Sequence, residues 1–232
     1  KGMWLLWGAV SLSVSLGIYQ SFIALSITLV IFCSLKALLE QKGFKAVLTN
    51  GCLAIGMMAV SAVLYIIELK VFETLTGVST MNSATYNGVG NVSAAFSGNV
   101  FSNVLDTYMN FVGAFKNFIT TSYPEMISVV LLAVTACIIV VIALLGLKEM
   151  DWKCRGLFVI LSAILPFAMN ITYFLSGGMA HVLTQYAVWM LYILVAVLVC
   201  WYEKENHPLQ IKKIVYVLLV CGLFFTVAEN IQ

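Results

Sequence analysis

The sequence predicts an all-α, polytopic transmembrane helical bundle of about seven spans. Three observations carry that prediction: the composition, the lengths of the apolar runs and the placement of the basic residues. Of 232 residues, 62% are hydrophobic and only 9% are charged, with a mean hydropathy of +1.03. Soluble domains carry about 25% charged residues. A chain this apolar cannot cover its own surface with polar side chains, so lipid is the solvent for most of it. The net charge of +2 argues against nucleic acid as a partner.

A spanning helix needs roughly 20 apolar residues. Segments 46–69, 126–147, 156–174, 183–201 and 211–228 meet or approach that length. The apolar stretch 3–35 is too long for one crossing, since a single helix of that length would measure about 50 Å against about 30 Å of hydrocarbon. Its break falls at Gly17-Ile18-Tyr19-Gln20-Ser21, where a glycine and polar side chains interrupt the run. Splitting there gives two short helices, 3–16 and 21–35, and seven spans. An interfacial first helix followed by one full span gives six. The whole chain, 1–232, reads as one transmembrane domain. It opens on Lys1 rather than Met, which reads as a fragment lacking N-terminal sequence or as a processed chain.

Basic residues set the orientation. Lys36, Lys42 and Lys45, then Lys148, Lys153 and Arg155, then Lys204, Lys212 and Lys213 fall in three loops that the seven-span count puts on one side. Lys1 joins them, and only Lys70 and Lys116 fall opposite. The basic loops are therefore expected to be cytoplasmic. The other face then holds the 17–21 break, the long segment 70–125, the turn at 175–181 and residues 229–232. Trp152, Trp189, Trp201 and Tyr202 lie at the edges of spans, as an interfacial aromatic belt requires.

The outer segment 70–125 has two parts. Residues 79–99 carry no charge and are rich in Ser, Asn, Gly and Ala, which reads as irregular loop. Within 99–120, Phe101, Val104, Leu105, Tyr108, Phe111, Val112, Phe115, Phe118 and Ile119 recur at helical spacing, with Asp106, Asn110 and Lys116 opposite. This predicts an amphipathic helix that lies in the outer interface or caps the bundle. It serves either to pack against neighbouring spans or to shape a substrate site. Asn91-Val92-Ser93 matches a glycosylation acceptor, a pattern of low specificity.

Polar residues at membrane depth point to function by default. Tyr19 and Gln20 sit at the helix break, and Glu68 lies in the last turn of its span beside Lys70 and Glu73. Asn170 and Tyr173 follow Pro166, whose missing N–H kinks the helix and frees polar groups to face a cavity. His181 and Gln185 follow a Gly177-Gly178 turn. Each has a plainer explanation: Asn170 as a bond between helices, Glu68 as a snorkelling or paired residue, His181 as a surface histidine. Their shared side predicts an outward-facing polar cleft if they converge. The six cysteines (33, 52, 137, 154, 200 and 221) lie in apolar segments or basic loops without metal-ligand spacing. No cofactor motif is evident, and a divalent metal is left open.

The run Ser13-Val14-Ser15-Leu16-Gly17-Ile18-Tyr19-Gln20-Ser21-Phe22, inside an apolar hairpin, resembles the membrane glucosyltransferases that modify bacterial O-antigen, the type II glucosyl transferase family. These are similar to the multi-spanning transferases of GT-C architecture. The resemblance implies transfer of a hexose, glucose by family, from a polyprenyl-phosphate carrier to a cell-surface glycan on the outer face of a bacterial cytoplasmic membrane. It also implies a carboxylate as general base on the acceptor hydroxyl. In GT-C enzymes that acid usually follows the first span, and residues 1–39 contain no acid. The main acid is therefore expected upstream of this chain, with Glu68 the candidate within it among Glu68, Glu73, Asp106 and Glu125. The resemblance implies Tyr19, Gln20, Asn170, Tyr173 and His181 as substrate-side contacts, and Lys70 or Lys116 for the carrier phosphate. Two other readings stand beside it: a non-catalytic transporter or flippase of lipid-linked glycans, and a structural membrane subunit whose polar residues only pack helices.

Overall fold

The computed structural model of the chain describes residues 2–19, 21–77, 96, 99–117, 147–148 and 150–178, with scattered helical positions at 187, 190, 191, 193, 194 and 197. The expected spans 126–147 (apart from its last residue) and 211–228 lie outside the described residues, as does most of 183–201. So do Gln20, His181, the Asn91-Val92-Ser93 pattern and all three basic residues of the last loop.

Every described element is a helix. These are α1 (Gly2–Ile18), α2 (Phe22–Leu39), α3 (Phe44–Thr76), α4 (Val100–Asn117), α5 (Trp152–Met169) and the single-turn α6 (Ile171–Leu175). Among the described residues, α2, α3 and α5 are long and apolar enough to cross a membrane, and α1 is a shorter apolar helix. The break at 17–21 is present: α1 ends at Ile18, and Phe22 N–H donates back to the Tyr19 carbonyl at 3.1 Å to start α2. The first helix is not set apart from the bundle. It lies alongside α3, so close that a Cβ on Gly8 would meet the Met57 Sδ at 2.6 Å. Contact between these helices is gained by packing rather than by escape from water, because lipid tails are as apolar as the side chains.

Two expectations are revised at helix ends. The span 46–69 continues as helix through Lys70 and Glu73, stopping at Gly77, whose φ of 68° takes the left-handed conformation. The whole of α3, 33 residues, measures roughly 50 Å, so Glu68 sits two turns before the helix end rather than in the last turn. The 156–174 span is divided. Pro166 leaves the carbonyl of Ser162 without its helical donor, and the backbone departs from helix at Asn170 (φ −111°, ψ 20°) before α6 resumes.

One end of the bundle is basic. Ile31, Leu35, Leu38 and Leu39 of α2 pack with Val47 of α3 and with Met150, Cys154 and Phe158 around the start of α5. That cluster brings Lys36, Lys42 and Lys45 to the same end as Lys148, Lys153 and Arg155. The α2–α3 turn closes with Gln41 at φ 55°, and bonds run from Gln41 N–H to the Leu38 carbonyl and from Lys42 N–H to the Ala37 carbonyl. Together these satisfy the last carbonyls of α2 in a Schellman arrangement. Glu40 joins Lys42 at 2.7 Å and Lys36 at 3.3 Å. The opposite end holds the α1–α2 turn, the far end of α3, α4 and α6. There Ala24 and Phe32 of α2 pack with Met169, Ala187 and Leu194.

The Lys42 ammonium, with Lys36 behind it, holds the Glu40 carboxyl below its ordinary value. A depressed folded-state pKa adds stability above the unfolded value and loses it as pH falls through the folded one. Glu40→Gln is therefore expected to lower stability at pH 7 by no more than about 1 kcal/mol, because the pair is partly solvated. The difference from the parent should vanish in acid. Thermal unfolding in detergent at the two pH values measures both.

Candidate functional site

The polar side chains expected on the outer face fall into two groups with different partners. In the first, Ser13 of α1 donates its hydroxyl to Glu68 Oε1 of α3 at 2.7 Å. Ser13 is fully buried and Glu68 is exposed. Tyr19 lies six residues beyond Ser13, or about 9 Å along the helix axis, in the α1–α2 turn. Its ring meets Phe22 edge-on at 6.2 Å between centroids. Lys70 is exposed on the continuation of α3. Glu68 is thus set below the level of the turn and is paired by a neighbouring helix.

The second group surrounds the α5–α6 break. Asn170 is fully buried, and its Nδ2 donates to the Thr107 carbonyl and to Asn110 Oδ1 of α4, each at 3.0 Å. Its Oδ1 has no hydrogen-bond partner. About two turns earlier in α5, the Ala163 carbonyl accepts from the Tyr108 hydroxyl at 2.8 Å. Tyr108 also stacks obliquely on Phe167 at 6.0 Å. A proline loosens the hydrogen-bond ladder beside it, and neighbouring helices commonly re-satisfy the freed groups. Here α4 meets the stretch around the proline at two places, the Ala163 carbonyl and the Asn170 side chain. The reading of Asn170 as a bond between helices has these contacts on its side.

The helix α4 is described over 100–117 of the 99–120 read from sequence, and residues 118–120 lie outside the described ones. It starts where Asn99 Oδ1 accepts the N–H of Phe101 at 3.1 Å and of Ser102 at 3.4 Å, an N-cap. Its docked strip, however, is polar as well as apolar: buried Thr107, half-buried Val104, Tyr108 and Phe111, and Asn110. Phe101, Leu105, Met109 and Val112, at helical spacing, stay exposed. Asn110 therefore does not lie away from the bundle, as periodicity suggested. The need of Asn170 for an acceptor outweighs the hydrophobic pattern.

Tyr173 N–H donates to the Asn170 carbonyl at 3.0 Å, and α6 closes on Gly177 (φ 67°) and Gly178 (φ 92°). Gly178 N–H returns to the Tyr173 carbonyl and Gly177 N–H to that of Phe174, a second Schellman closure. The Tyr173 hydroxyl stands 3.6 Å from where a Gly178 Cβ would be, so its ring covers the turn. No three His, Cys, Asp or Glu side chains gather among the described residues. Ser13, Thr107 and Tyr108 were not singled out as polar contacts from sequence. Ser13 lies in an apolar run, and its signal is its place beside small Ala9 on the face that meets α3.

Removing the Asn170 amide tests the second group. Asn170→Ala should cost about 1–3 kcal/mol, since buried partners lose their bonds. A double-mutant cycle with Asn110→Ala should return about 0.6 kcal/mol of coupling, the average for bonds between membrane helices. Denaturant unfolding in micelles reads both, and strict additivity would mean that the Asn170–Asn110 contact contributes nothing.

The first group offers a carboxylate held by a neighbouring helix toward the end opposite the basic loops, and the amide groups gather separately at the α5–α6 break. No curated protein and no solved structure matches the chain. Residues 1–188 match the family described as "Glucosyl transferase GtrII", and since that match covers most of the sequence, the chain belongs to this family.

Proposed function

We propose that the protein moves a glucosyl unit from a polyprenyl-phosphate carrier to a cell-surface glycan on the outer face of a bacterial cytoplasmic membrane. The family match over residues 1–188 carries the reaction class. The membrane-lipid carrier is supported by apolar helices with exposed Trp4, Trp7, Val60, Val63, Ile66 and Ile67, which suit a lipid-anchored donor approaching from the side. The basic loops are the cytoplasmic side, which puts Tyr19, Glu68, Lys70 and Tyr173 on the outer one.

In this reading Glu68 is the general base within the chain. Its carboxylate takes the proton of the acceptor hydroxyl as that oxygen attacks the anomeric carbon, and the carrier phosphate leaves with the bonding electron pair. Lys70, exposed on the extension of α3, offers charge to the phosphate, and Lys116 is the second candidate for that role. Tyr19, Gln20, Tyr173 and His181 supply hydrogen bonds to the sugars. Asn170 contributes through α4, which it holds against the bundle. The architecture belongs with the GT-C transferases, and bilayer lipid and the surface polysaccharide are the remaining partners.

The full-length protein in native membranes, given polyprenyl-phosphate-linked glucose and its surface glycan, should transfer glucose. Glu68→Gln should lower the rate by roughly 10²- to 10⁴-fold, the usual contribution of a general base. Absence of transfer by the parent protein would refute the reading, and parental rates in Glu68→Gln would remove Glu68 from it.

A further inference from the structure

Six hydroxyl side chains on these helices share one habit. Ser15, Ser26, Ser34, Thr74, Thr76 and Thr107 each donate to the carbonyl four residues earlier in their own helix, at 2.7–2.9 Å. That local bond is the ordinary way for a hydroxyl to be satisfied inside an apolar helix. Ser13 departs from it. Its donor goes 55 residues away in sequence, across the α1–α3 seam, to Glu68 Oε1.

Packing fixes the donor. Ser13 is fully buried, and Ala9 and Leu16 on the same face of α1 are buried with it, so water offers the hydroxyl no alternative. Glu68, in contrast, is exposed, and a long side chain at such a position has several rotamers. Ordering a glutamate side chain costs rotamer entropy, which a fixed neighbouring donor offsets by favouring one orientation.

We propose that Ser13 is a positioning residue for the Glu68 carboxylate in glucosyl transfer, an inference that rests on the role given to Glu68 above. Ser13 occupies Oε1 and anchors the side chain, leaving Oε2 to receive the acceptor proton. The proton goes from the acceptor hydroxyl to Oε2, the new glycosidic C–O bond forms, and the bond from the anomeric carbon to the carrier phosphate breaks. Ser13 keeps its own proton throughout. Ser61 provides an internal control. It lies two turns before Glu68 on the same face of α3, is fully buried, and has a hydroxyl without a hydrogen-bond partner.

The experiment compares Ser13→Ala, Ser13→Thr, Ser61→Ala and Glu68→Gln in the full-length protein in membranes, with polyprenyl-phosphate-linked glucose as donor. Rates are normalised to folded protein. Loss of positioning should lower kcat by roughly 10- to 100-fold while KM for the donor changes by less than about twofold. Ser13→Thr, which restores the hydroxyl, should recover most of the rate, and Ser61→Ala should match the parent. If Ser13→Ala works at the parental rate while Glu68→Gln is inactive, the positioning role is overturned and the role of Glu68 stands. If Glu68→Gln is active as well, both fall. A loss in Ser13→Ala that merely follows the amount of folded protein, and that Thr does not restore, makes Ser13 structural and also overturns the proposal.

Discussion

A polar group surrounded by lipid has to find its partner inside the protein, and this constraint organises the structure more than any apolar contact does. In hydrocarbon, burial of apolar side chains brings little net gain, because the tails outside are equally apolar. An unmet carbonyl or amide, by comparison, is expensive. The described helices meet most of that demand in a graded way, and leave the Thr28 and Ser61 hydroxyls and Asn170 Oδ1 unmet. Most hydroxyls turn back on their own backbone. Helix ends close on the left-handed residues Gln41, Gly77 and Gly177. Where a proline opens the ladder in α5, a different helix is recruited.

That recruitment explains the position of α4. An amphipathic helix in an aqueous loop would be expected to place its most apolar side on the bundle. Instead, a tyrosine hydroxyl and an asparagine amide decide the rotation of α4, through Ala163 and Asn170. The apolar residues left outside face no penalty where lipid surrounds the protein. The same logic applies to the α1–α3 seam, where a glutamate is tolerated because a serine from the adjacent helix reaches it.

The membrane character, the break near Tyr19, the gathering of the first two basic loops at one end and the existence of α4 were all legible in the sequence. Each depends on composition, run length or local periodicity. The family was legible too, through the run from Ser13 to Phe22. The pairings were less so. Nothing local links Ser13 to Glu68 or Asn170 to Thr107, because those bonds depend on which helix faces become neighbours. The true end of α3 was also hidden. Lys70 and Glu73 look like the start of a loop in a hydropathy profile, yet both are good helix formers, and no glycine or proline stops the helix before Gly77. The expected convergence of polar residues separates into two groups: the Ser13–Glu68 seam with Tyr19 nearby, and the Asn170 junction with Tyr173.

The length of α3 has a mechanical consequence. It contains no proline and runs unbroken from the basic end, at Val47, past the Met57 and Glu68 contacts with α1, to Thr76. Such a rod has no proline hinge. A sideways force on its far tip is therefore taken up as tilt of the entire shaft, with the basic-end cluster as fulcrum. The Ser13–Glu68 bond lies well out along that lever, where a small rotation produces a large displacement. A hydrogen bond there ties the two rods together far from the fulcrum.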